Sequence, residues 1–176
     1  MDVAAGPFSI AAVLLALGGA LKALRPADTA TALRGVGIPV PRLAVRLGGA
    51  GEAAIGIWAL VVGDRLEAVL VTASYAVFIG FVVLAMTRDA PIASCGCFGR
   101  ADTPPSLVHV GVNVGACIAA LVVVVQPGVG LIDVLPGQPL AGVPYVFLVV
   151  VGVLCAFVAL TQLPRTLQAM RESYAS

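Results

Sequence analysis

Five long apolar runs constrain this chain more than any other feature. They cover about Phe8–Leu24, Leu43–Val62, Leu66–Met86, Leu107–Val125 and Pro144–Leu163. A helix needs about 20 mostly apolar residues to cross a bilayer, and each run has that reach. With 60% hydrophobic and only 11% charged residues in 176, the chain lacks the polar surface of a water-soluble domain. The runs are continuous and do not alternate, which excludes a β-barrel. The predicted fold is therefore all-α: one bundle of about five transmembrane helices, residues 1–176, in a single domain. Asp2 precedes the first run and no Lys or Arg does, unlike a cleaved signal peptide. A net charge of +1 with no basic run gives no sign of nucleic-acid binding.

Basic residues are spread unevenly between the loops. Lys22, Arg25, Arg34, Arg42 and Arg46 flank or fill the first connection, Arg88 and Arg100 the third, and Arg165 and Arg171 the C-terminal tail; Arg65 alone lies on the other side. Nine of the ten thus share one face. The positive-inside rule then predicts an external N-terminus and a cytoplasmic C-terminus. Within the first connection, Pro26 with Asp28 or Thr29 as an N-cap predicts a short interfacial helix to about Arg34. Gly35, Gly37, Pro39 and Pro41 end it.

Ionisable groups inside a membrane are costly, so each needs a reason. Glu52 lies mid-way along the second run, on a stripe with Gly48 and Gly56. Small residues there let a neighbouring helix approach, and the carboxyl either stays protonated or pairs with a cation, Lys22 and Arg46 being the candidates. Interhelical packing and a proton-handling or cofactor-contacting role are both open. In the fourth run Ser106, His109, Asn113 and Cys117 fall near one face. Asn113 is expected to make an interhelical hydrogen bond. Cys117 and Cys155 are buried small hydrophobes or, more sharply, a second redox pair.

The loop before the fourth run carries Cys95-Gly96-Cys97-Phe98-Gly99. Two thiols one residue apart can exchange disulfides, bind a soft metal such as copper, zinc or mercury, or staple the loop. A disulfide in so small a ring is readily reduced, and Gly96 eases its closure. His109, the only histidine, and Arg100 are near enough in sequence to stabilise a thiolate.

CGCFG followed by His109, Val110 and Asn113, with Lys22, Pro26, Glu52 and Gly56 upstream, resembles the MauE family of methylamine-utilisation membrane proteins, related to the wider DoxX-like group. The likeness covers about residues 8–125. It departs in the fifth run (about 144–163) and in Val112, where a basic residue is expected. The resemblance implies a role in disulfide maturation of a partner enzyme alongside a thioredoxin-like protein, with Cys95 and Cys97 as the redox pair. A quinone is a compatible electron partner, although no motif marks one. Disulfide formation is extracytoplasmic chemistry, whereas the charge bias puts this loop at the cytoplasmic face. A loop folded back to the membrane, electron relay from a cytoplasmic donor, and a failure of the charge rule each reconcile the two. The alternatives from other classes are a soft-metal binding or transport protein and a non-catalytic membrane subunit.

Overall fold

The computed structural model describes residues 3–88 and 105–164, with residues 166, 167, 170 and 173. Among them the chain is all-helical. The helices are α1 (Ala5–Leu24), α2 (Pro26–Gly35), α3 (Arg42–Val61), α4 (Arg65–Thr87), α5 (Leu107–Val125), the one-turn α6 (Leu131–Val134) and α7 (Val143–Thr161). All but α2 and α6 are long and apolar enough to span a membrane, and each starts and ends within three residues of the run read from sequence. The protein is a multi-pass membrane protein.

Two close helix pairs build the bundle. α1 packs along α3 and α4 along α5, both antiparallel, as Arg46 Nε donating to Ala23 O (3.2 Å) and Arg65 Nε donating to Val124 O (3.0 Å) mark at their ends. Phe8, Ala11, Ala12 and Leu15 of α1 meet Ala59 of α3, Ala68, Val71 and Tyr75 of α4, and Ala116, Ala120 and Val123 of α5 in one core. α7 runs parallel to α1. Its Tyr145 hydroxyl bonds Ser9 Oγ (2.8 Å) and Ala5 O (3.0 Å), and Val149 and Val153 pack on Leu14.

The α1–α3 contact is backbone to backbone. A Cβ on Gly49 would stand 2.7 Å from Ala23 N and Gly19 O, and one on Gly56 2.6 Å from Ala12 O. Small residues of this kind let membrane helices associate without a hydrophobic driving force. The stripe expected on α3 is thus kept at Glu52 and Gly56 and changed at one end. Gly48 has nothing within 4 Å of a would-be Cβ, and Gly49 replaces it at the interface, with Gly56 retained. Residues 49, 52 and 56 follow spacings of three and four, which keep them together on one helical face.

The short helix expected between the first two spans forms, but its cap differs. Arg25 occupies the N-cap position, Pro26 opens the helix, and Asp28 sits in the first turn with no side-chain capping bond. Pro26 suits the first helical position because its missing N–H would have been unsatisfied there anyway, and this fixes the start ahead of Asp28 and Thr29. Ala32 and Val36 of this segment pack on Phe81, Leu84 and Ala85 of α4, and Arg88 donates to Val36 O. Gly37, at φ +83°, turns the chain toward α3.

Candidate functional site

Lys22 is two residues before the end of α1, and its side chain reaches back along α3 to hydrogen-bond the Glu52 carboxylate. Of the two cations expected for Glu52, Lys22 is therefore the partner. Arg46 is turned to the carbonyl of Ala23, because it lies one turn into α3 and finds the open C-terminal end of α1 there. Lys22 is only 8% exposed, and its ammonium also stands 4.0 Å from the centroid of Phe78 of α4. A cation removed from water is held by a carboxylate and a ring face together.

Two cavities meet at Lys22 and Phe78. The larger, about 250 Å³, lies between α2, α3 and α4 and holds Glu52, Gly48, Val77 and Phe81. The smaller, about 30 Å³, lies between α1, α4, α5 and α7 and is lined by Tyr75, His109, Asn113 and Leu160. That is room for one or two water molecules. A polar line thus runs through the apolar bundle from Glu52, by way of Lys22, to the head of α5.

His109 is buried in the first turn of α5, its Nδ1 bonded to Ser106 Oγ (2.9 Å). Nε2 has no hydrogen-bond partner among the described residues. Asn113 lines the same cavity, but its amide donates to His109 O (2.8 Å), inside its own helix. The interhelical bond expected of it is replaced by this local one, which is available one turn back without ordering a second helix.

Cys117 and Cys155 are both free. Cys117 is half-buried with its Sγ 3.8 Å from Thr72 O of α4, while Cys155 is exposed on α7. Cys95, Cys97 and Arg100 lie outside the described residues. The segment that carries them leaves α4 after Arg88 and rejoins the described chain at Pro105, at the end of the bundle where α1 presents Lys22 and α5 presents His109.

Sequence reasoning missed Phe78, Tyr75 and Gly19. The first two stand three apart in α4, one helical turn, which places them on a shared face. Tyr75 donates to Ala11 O (2.7 Å) and crosses the Phe78 ring edge-on, with centroids 5.8 Å apart, so it holds the ring that covers Lys22. Among the described residues no cluster of His, Cys, Asp or Glu is arranged for a metal ion. A further carboxylate, Glu67, is buried in the first turn of α4 at the other end of the bundle. Its Oε2 has no hydrogen-bond partner among the described residues.

Comparison with known proteins adds one match. No curated protein and no solved structure is similar to the chain. The family model described as "Methylamine utilisation protein MauE" matches residues 3–126, which takes in all of α1 to α5 and leaves α7 outside. The chain belongs to the MauE family.

Proposed function

We propose that this MauE-family membrane protein is a thiol–disulfide exchange component, with Cys95 and Cys97 as the exchanging pair and a thioredoxin-like protein as its partner. A dithiol on one protein gives a thiolate that attacks the disulfide of the other. A mixed disulfide forms, the second thiol resolves it, and two electrons pass with no net loss of sulfur bonds. One domain carries the function: the core at about 8–125, with the last helix, about 144–163, added to its side through Tyr145. The setting is a bacterial plasma membrane with the N-terminus outside and the C-terminus in the cytoplasm, on the strength of the nine-to-one distribution of Lys and Arg.

The observation that carries this reading is the placement of His109. It is a buried imidazole with Nε2 uncommitted among the described residues, beside the Lys22–Glu52 pair, at the end of the bundle where the cysteine-bearing segment begins and ends. An imidazole can accept the proton that a thiol must lose before it attacks. Asn113 and Lys22 support the reading as positioning residues, since the first ties back to His109 and the second shares its cavity.

Thiol trapping in intact cells tests it. Cys95 and Cys97 are expected to shift between reduced and oxidised forms with growth conditions, and single Cys→Ser variants are expected to accumulate a mixed disulfide with the partner. Two thiols that never change state and never form such an adduct would end the reading. Labelling with a membrane-impermeant maleimide tests the orientation: rapid reaction of Cys97 from outside reverses it.

A further inference from the structure

We propose that the larger cavity binds the ring of a membrane-dissolved quinone, with Lys22 donating to a ring carbonyl and the tail running out into the bilayer. α3 meets α4 far less closely than it meets α1, and the cavity fills that seam. Its mouth carries Gly48 and Val77, both exposed on the outside of the bundle at membrane depth, so a ligand enters from lipid. Its walls carry the rings of Phe78 and Phe81, flat apolar faces suited to a flat apolar ligand. The ammonium of Lys22 and the carboxylate of Glu52 are the charged groups in it.

Charge decides between a quinone and a phospholipid. Glu52 lies beside Gly19, five residues from the end of α1 and so about 7.5 Å inside it at 1.5 Å per residue. The ion pair is neutral as a unit, so an anionic headgroup meeting Lys22 meets the Glu52 carboxylate as well. A neutral ring with carbonyl acceptors does not have that difficulty. Lys22 spends one of its three N–H groups on Glu52 among the described residues, which leaves donors for the ring. About 250 Å³ holds one substituted six-membered ring with the start of its tail.

The site also deepens the thiol–disulfide reading, and for that role alone it rests on it. A dithiol that closes to a disulfide releases two electrons and two protons. A quinone takes up the same two electrons and two protons to become the quinol.

Binding can be measured without the thiols. The full chain with Cys95→Ser and Cys97→Ser is placed in quinone-free phospholipid nanodiscs and titrated with a decyl-substituted benzoquinone. Saturable binding is expected, about one ring per chain. Gly48→Leu fills the cavity from a position where a Cβ meets nothing within 4 Å, and is expected to weaken binding at least tenfold. Gly51→Leu is the matched control: it also has nothing within 4 Å, does not line the cavity, and is expected to bind as the parent does. Val77→Phe narrows the mouth from the facing helix and gives the same test if Gly48→Leu does not fold. Absence of saturable binding, or equal binding by parent, Gly48→Leu and Val77→Phe, overturns the proposal. Failure of thiol trapping in cells with binding intact removes the redox reading and leaves this site standing.

Discussion

Replacing Gly49 with alanine is expected to destabilise the bundle, whereas the same change at Gly48 or Gly51 is expected to stabilise it slightly. The three lie within four residues of one helix, so local helix propensity favours alanine equally, by about 0.5–1 kcal/mol. They differ in what a methyl group meets. At Gly49 it would lie 2.7 Å from Ala23 N and Gly19 O and 2.8 Å from the Lys22 Cβ; at Gly48 and Gly51 nothing is within 4 Å. Two of the three obstacles are backbone atoms and cannot rotate away. α1 and α3 must part by the shortfall between 2.7 Å and the 3.4 Å where ordinary contact begins, about 0.7 Å. Overpacking of this kind costs about 1–3 kcal/mol. Set against the propensity gain, Gly49→Ala should lie about 1–3 kcal/mol below Gly48→Ala in stability. At roughly 2–4 °C per kcal/mol for a chain of this size, that is roughly 2–12 °C in Tm. Thermal unfolding of the purified variants in one detergent reads the difference. Equal Tm values for Gly49→Ala and Gly48→Ala would refute the backbone contact between α1 and α3, and with it the path by which Lys22 reaches Glu52.

Breaking the Lys22–Glu52 pair singly, by Lys22→Met or Glu52→Gln, should cost about 3 kcal/mol, the low end for a buried ion pair because the Glu52 side chain is 23% exposed. The double variant should recover most of that loss, and additive Tm losses in the cycle would count against direct pairing. Tyr145→Phe removes the bonds to Ser9 and Ala5 that tie α7 to α1. It should cost about 1 kcal/mol and speed hydrogen exchange in α7 without a matching change in α4. With Cys95 and Cys97 replaced by Ser, a lipid-soluble maleimide should label exposed Cys155 well before half-buried Cys117; the reverse order would contradict the packing of α5 on α4.

The sequence by itself determined the number, length and class of the spanning helices, because the bilayer sets a fixed apolar length and the chain meets it five times. It also determined the short helix between the first two spans, through Pro26 at one end and Gly35 with Gly37 at the other, and it narrowed the partner of Glu52 to two cations. Tertiary structure decided which of the two. Lys22 was chosen because Gly19 and Gly49 bring α1 against α3 closely enough for a long side chain to reach down to the carboxylate. Tertiary structure likewise put Gly49 in place of Gly48 on the α1 contact, kept the Asn113 bond within α5, placed Phe78 over the ammonium and set α7 parallel to α1. These choices were not legible in hydropathy, since lipid tails are as apolar as leucine and a membrane helix has no polar face to say which way it turns. The rotation of each helix is fixed only by close packing against its neighbours, and that rotation joins Glu52, Lys22 and His109 into one polar line.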